Sequence, residues 1–367
     1  MAFEDKELEP TRSEVARESD EHVTNGTAPQ RKGGVFNTLY PPGPRPGAGP
    51  RFKNHCRKFW WCDLLVIAVI ALVVALPVVY VAIPKKAQHD INASTLEVTS
   101  QEVSNPEPEK VHLKIKSIAR SSSSFHPTLE AFQAGLSLPG QEAFLTLNVP
   151  ETKAEAETEI DIEQDAPIIN MDSFKAYTKT TIANETFTLV MNGKTKVHQK
   201  GLSAISVDYN KNIEMKGLNK LSGLQITNIK ILFGTKNKNP DGSNMIGNVI
   251  IPNPSVMTLD LGNVTMNLAI DGQSIGTSLL PNLVLKPGEN NSTMSSTLDQ
   301  EGLPVISLVQ SKYKDGVIPL EIVGNSSIRN GEHLEYFEEA IKSNTIKLNL
   351  DIGPALKDIG INVTDSF

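Results

Sequence analysis

Residues 264–272, VTMNLAIDG, decide the fold class. Val264, Met266, Leu268 and Ile270 alternate with smaller or polar residues at a period of two, so one face of an extended strand is apolar, and Asp271-Gly272 then supplies the turn. Working outward, Gly247 to Ile251 form another run that leads into Asn253-Pro254-Ser255. Leu283 to Leu285 precede the turn Lys286-Pro287-Gly288-Glu289-Asn290, Leu303 to Val309 are read as a further strand, and Ile346 to Leu350 as the last. A helix is expected over Glu332 to Lys342, capped by Asn330, with Leu334, Phe337 and Ile341 on one face.

The same alternation recurs nearer the N-terminus. Val111, Leu113, Ile115 and Ile118 mark one strand, Phe144, Leu145 and Leu147 another, and Ile160 and Ile162 a third. Phe187, Leu189 and Met191 run into Asn192-Gly193, followed by Thr195 and Val197, which reads as a hairpin with a type I′ turn. Asp172 is the expected N-cap of a helix carrying Phe174, Tyr177 and Ile182 on one side. Strand-like runs continue through Ile205–Tyr209, Ile213–Met215 and Leu224–Ile231. The expected fold is therefore mainly β: two tandem immunoglobulin-like (fibronectin-like) antiparallel β-sandwich modules, 111–228 and 229–367, with a few short helices.

Before these modules stands LLVIAVIALVVALPVVYVAI, Leu64 to Ile83, without a charge inside it. Twenty residues at about 1.5 Å rise give roughly 30 Å, the thickness of the hydrocarbon core of a bilayer. Trp60, Trp61 and Tyr80 sit as interfacial anchors, and Pro77 is expected to kink the helix. A cleaved signal peptide would begin near the N-terminus and end in a small-residue site, and a core helix would have a polar face, so the run reads as an uncleaved signal anchor. Residues 84–110 are read as a linker and first-strand region.

The tail, 1–63, reads as disordered, acidic at first and then basic and proline-rich, with PPGPRPGAGP from Pro41 to Pro50 as a spacer. Arg51, Lys53, Arg57 and Lys58 flank the span and, with little basic charge after it, place the tail in the cytosol and the C-terminal part in a lumen or outside the cell: a type II, single-pass protein. The same cluster suits anionic lipid headgroups. Cys56 and Cys62, the only cysteines, are candidate S-acylation sites and leave nothing beyond the span to form a disulfide. Asn184, Asn263, Asn290, Asn291 and Asn325 stand in N-glycosylation triplets on the lumenal side.

The tail holds ten Lys/Arg against nine Asp/Glu, so the net charge of −7 belongs to the rest, which has no basic field for nucleic acid. No nucleophile elbow, zinc-binding spacing, phosphate loop or complete calcium loop occurs. His89, His112, His126, His198 and His333 lie in five separate segments. Glu332, Glu335, Glu338 and Glu339 fit a solvated helix face, and Asn239-Pro240-Asp241-Gly242 a tight turn. No catalytic residue, cofactor or metal is therefore expected.

GNVIIPNPSV from Gly247, LGNVT from Leu261, Ile275-Gly276 and NLVLKPGEN from Asn282 resemble fungal single-pass membrane proteins of unknown function. The lumenal domains of that family are similar to the late-embryogenesis-abundant (water-stress and hypersensitive-response) β-sandwich. PTLEAF (Pro127–Phe132), LTLNVP (Leu145–Pro150), IINMDSF (Ile168–Phe174) and KGLNKLSG (Lys216–Gly223) resemble the first part of the same family. The resemblance implies the vacuolar membrane, with the plasma membrane second, and carries no active site. The functions expected are a non-enzymatic protein presenting its β-sandwiches to an unknown lumenal protein partner, or as an alternative a binder of lipid or another apolar ligand beside the bilayer. In sealed vesicles carrying the chain tagged at both ends, external protease should remove the N-terminal tag and spare the C-terminal one; digestion of the C-terminal tag would reverse the orientation.

Overall fold

The computed structural model describes residues 48–232, 238–299 and 303–361, with side chains from residue 59 onward. The chain divides into two units, Met1–Val73 and Val74–Phe367. Helix α1 (Ala48–Pro77) starts inside the stretch read as disordered tail and carries the apolar run. From Phe59 to Ala93 the chain is helical, long and apolar enough to cross a membrane, and its most apolar window buries nothing against protein. Directly after Pro77 the helix widens into a π-helical turn, Val78–Ala82. Proline lacks the N–H for the usual i−4 bond and its ring crowds that carbonyl, so the ladder yields beside it. Helix α2 (Ile83–Ala93) follows, and strand β1 (Thr95–Glu107) takes up the rest of the expected linker.

Seventeen strands are found among the described residues, in two sheets. The larger is built on β12 (Met257–Ile270), paired antiparallel along one edge with β13 (Gln273–Leu285). Its other edge is shared: Met257–Leu259 pair in parallel with Gln101–Val103 of β1, and Asn263–Ile270 pair antiparallel with β15 (Val317–Arg329). Beyond β1 come β2 (Lys110–Arg120) and β7 (Glu157–Pro167); beyond β13 come β14 (Gly288–Leu298), β11 (Met245–Asn253) and β10 (Gln225–Ile231). Strands β16 (Glu332–His333) and β17 (Thr345–Asp351) attach to β15. One sheet thus crosses the expected boundary at 228/229, because β1 leaves its own half to join β12.

The smaller sheet has six strands. In it β8 (Thr186–His198) pairs with β9 (Ile205–Lys216) on one edge, and with β4 (Phe132–Ser137) and β3 (Thr128–Leu129) on the other. Strands β5 (Leu145–Val149) and β6 (Thr152–Lys153) complete it. The two sheets meet where the Gln164 amide of β7 stands in for a strand partner: its Nε2 donates to Thr146 O and its Oε1 accepts from Asn148 N, both at 2.8 Å. Alternate residues of β2, β5, β8 and β9 are buried in one continuous apolar core.

Several expected details change. Asn192-Gly193 is no turn: β8 runs straight through, and Gly193 faces Tyr209 in the β8–β9 ladder. A Cβ at 193 would stand 2.8 Å from the Phe132 ring, so the glycine makes room for an aromatic. Leu303–Val309 is helical, within α4 (Leu303–Lys312), where Val305, Ile306 and Val309 are buried at helical spacing. Helix α3 (Met171–Ala183) is capped by Asn170, which accepts from Ser173 N at 3.0 Å, rather than by Asp172 in its first turn. Helix α5 (Glu335–Lys342) begins later than expected, since Asn330 and Gly331 turn with positive φ between β15 and β16. By contrast, Asp271-Gly272 does close the β12–β13 hairpin, with both φ positive (49° and 76°) as a type I′ turn requires. In the Asn253-Pro254-Ser255 turn the buried Asn253 donates to Met257 O and accepts from Ser255 N and Oγ, which fixes the entry to β12.

Helices α3 and α5 bridge the halves of the chain. Phe174 packs edge-on against Tyr336 at 4.9 Å, and Thr178 Oγ1 donates to Tyr336 O at 2.7 Å. Lys175 reaches Glu335 (2.9 Å) and Glu339 (2.7 Å), and Lys179 also reaches Glu339 (2.7 Å). The hydrogen bonds from Lys175 and Lys179 pull Glu339 down to about 2, and those to Glu339 and Glu335 push Lys175 up to about 12. A depressed carboxyl stabilises above its ordinary value and loses that contribution as pH falls from 4.5 toward 2. A raised amine loses its contribution as pH rises from 10.5 toward 12. Urea unfolding of Glu339→Gln should show a shallower loss of stability through the acid window than the natural chain.

Candidate functional site

The sequence-predicted residues do not converge on one site. Asn184, Asn263, Asn291 and Asn325 are exposed, on separate elements or loops. Asn290 is half-buried and spends its amide on the loop before it: Nδ2 donates to Lys286 O and Oδ1 accepts from Lys286 N, both at 2.8 Å. Asn184 Nδ2 donates to Thr180 O at 3.0 Å. Cys62 is a half-exposed free thiol on α1. The side chains of Cys56, Arg51, Lys53, Arg57 and Lys58 lie outside the described ones, and only their place on α1 is given.

Among the described residues no three His, Cys, Asp or Glu side chains gather as metal ligands. Three of the four glutamates of the expected acidic face, Glu335, Glu338 and Glu339, are paired instead. Glu338, buried, accepts from His333 Nδ1 (2.5 Å), Lys342 Nζ (3.1 Å) and the Ser327 amide. Burial opposes its ionisation, but those three donors outweigh it and hold the carboxyl below its ordinary range.

The feature the sequence did not disclose is an apolar cavity of about 280 Å³ in the second unit. Its volume sits near the lower end of ligand pockets, roughly 300–1,000 Å³. One wall is α2, including Ala87 and Ile91, together with Ala82 and Ile83, where the apolar run ends. Facing residues come from β2 through β9, among them Leu129, Phe132, Val149, Ile160 and Tyr209. Phe132 and Tyr209 lean together with ring centres 5.2 Å apart.

Two side chains, Gln88 and Lys211, tie α2 to β9. The Gln88 side chain forms a paired bridge with the Asp208 backbone, donating to O and accepting from N at 2.8 Å each. Lys211, 5% exposed, sends its ammonium to the C-terminal end of α2, where it donates to Ile91 O, Ser94 O (2.5 Å) and Ser94 Oγ (2.7 Å). A cation there meets the negative end of the helix dipole. Burial pushes the Lys211 amine down to about 8. At the mouth, Lys86 pairs with Asp90 (3.1 Å) and Ser123 Oγ donates to Asp90 (2.8 Å). Burial opposes ionisation of Asp90, and these two donors hold its carboxyl low nonetheless. Arg120 is clamped between Glu97 (2.5 Å) and Glu157 (3.0 Å).

Residues 142–268 match the model of a family described as a protein of unknown function, DUF3712. That stretch takes in β5 through most of β12, and so both sheets. Among curated proteins there is no significant match. Solved structures similar to this chain include the periplasmic chaperone SfaE, at 10% identity over 70% of this chain and 98% of that one, with a TM-score of 0.17. A bacterial adhesin from Mobiluncus mulieris follows at 9% identity, over 68% and 83% of the two chains, with a TM-score of 0.19. The CupB6 tip adhesin from Pseudomonas aeruginosa is 8% identical over 56% and 89%, with a TM-score of 0.17. Likenesses at these scores carry no argument about this chain.

Removing the Lys211 ammonium takes a donor from three acceptors at the end of α2, of which Ile91 O keeps the Ser94 amide and hydroxyl. Lys211→Met should cost about 1–3 kcal/mol and raise hydrogen exchange across 84–94, read by mass spectrometry, ahead of the strands.

Proposed function

We propose that this chain is a non-enzymatic, single-pass membrane protein of type II orientation whose lumenal β-rich domain receives the apolar chain of a lipid-like ligand beside the bilayer. The observation that carries the reading is the cavity: apolar walls, and a wall that begins with Ala82 and Ile83, the last residues of the membrane-spanning run. An apolar chain leaving the bilayer at that point exchanges one oily environment for another, so transfer requires little exposure to water. The basic flank, Arg51 to Lys58, would rest on anionic headgroups of the cytosolic leaflet. In this reading the two halves are immunoglobulin-like sandwiches fused through the shared sheet, Asn184, Asn263, Asn291 and Asn325 take glycans, and Cys56 and Cys62 take acyl chains. The vacuolar membrane is favoured by the family resemblance, with the plasma membrane second.

A second reading, presentation of the lumenal domain to a protein partner, is favoured by β10. Among the described residues this strand is hydrogen-bonded only to β11 and none of its residues is buried, an arrangement suited to strand addition.

Native mass spectrometry of the full chain extracted from its own membrane should reveal bound lipid. Ala154→Trp, which places an indole into the cavity wall, should lower the bound fraction at least about fivefold with an unchanged circular dichroism spectrum. A natural chain that carries no lipid removes the first reading and leaves strand addition.

A further inference from the structure

The cavity's polar groups define which lipid chemistry suits it, an argument that rests on the apolar-ligand reading above. Four charged side chains line it: Lys86, Asp90, Arg120 and Glu155. Each is already matched. Lys86 and Asp90 pair with one another, and the Lys86 ammonium also lies 5.3 Å from the centre of the Phe125 ring. Arg120 is held by two glutamates, and Glu155 takes Lys153 at 2.7 Å. Lys211, the nearby buried cation, directs its donors to backbone and hydroxyl oxygens of Ile91 and Ser94. A phosphate or carboxylate entering this cavity would therefore find every cation of its lining already paired with a carboxylate, and the donors of Lys211 behind it already taken by Ile91 and Ser94.

One fully buried side-chain atom in the lining has no hydrogen-bond partner. Gln199 borders the cavity from the end of β8, and its Oε1 is buried without a hydrogen-bond partner. A buried amide oxygen in apolar surroundings gains most from a ligand that brings a donor and no charge. A hydroxyl meets that need whichever way round the amide is placed, because it both donates and accepts. We infer that the cavity selects an uncharged amphiphile whose polar head is a hydroxyl, with that hydroxyl paired to the Gln199 amide and its hydrocarbon against Leu129, Val149, Ile160 and Ile91.

Three ligands with one chain and different heads test this: radiolabelled dodecane, 1-dodecanol and dodecanoate, dialysed at neutral pH against the full chain held in an amphipathic polymer. Dodecanol should bind roughly five- to tenfold more tightly than dodecane, as one added hydrogen bond in a buried site allows, with dodecanoate weakest. Gln199→Leu should erase the margin of dodecanol over dodecane while dodecane still binds. Equal binding of dodecane and dodecanol to the natural chain, tighter binding of dodecanoate, or a margin that survives in Q199L overturns the hydroxyl selection and leaves the apolar cavity standing. Failure of all three to bind the natural chain overturns both readings. The comparison on the natural chain decides even where the variant does not fold.

Discussion

A β-strand has two hydrogen-bonding edges, and β12 serves three neighbours with them. The constraint is resolved at one point. Beyond Leu259 its partnership passes from β1 to β15, and the backbone accommodates the change with a bulge at Gly262, whose φ is +66°. A Cβ there would lie 2.4 Å from Ile328 O, so the crossing strands leave no space for one. Asp260, nearly buried, accepts from the Gly262 amide and pairs with Arg329 at 3.1 Å, which ties the bulge to β15. Both halves of the chain depend on this handover, because β1 brings β2 and β7 with it.

The helices reinforce the same union. Tyr336 of α5 donates to Glu107 O at the end of β1, and Gln101 in the middle of β1 donates to Tyr177 of α3. Phe144 stacks on Tyr177 at 4.7 Å and Tyr336 on Phe337 edge-on at the same distance, so the aromatic residues form a chain between the sheets. With both cysteines before or at the membrane run, this union rests on burial, ladders and ion pairs.

Much of this was legible in local pattern. The alternation from Val264 to Ile270, the turn at Asp271-Gly272, the strand at Ile160 and Ile162 and the apolar run from Leu64 each carry a local physical cause, and each is present as read. The misreadings share a different cause. Asn192-Gly193 has the composition of a turn, but its glycine answers to a side chain sixty-one residues away in sequence, Phe132. Leu303 to Val309 is a short apolar run whose period is ambiguous between strand and helix until its neighbours choose. The β1–β12 pairing is non-local and parallel, with no signature in either strand. The cavity was invisible for the same reason: its walls come from α2 and eight strands, and its one fully buried unpartnered atom, on Gln199, belongs to a residue that sequence gives no reason to single out.

Gly193 has one more consequence. The Phe132 ring rests where a side chain at 193 would stand, and from there it meets Tyr209 and forms part of the cavity wall. Any larger residue would press on that ring and on Gln133 O, each 2.8 Å from where its Cβ would stand. The bore of the cavity is therefore set in part by an atom that is missing from β8, on the face it shares with the lining residue Val197.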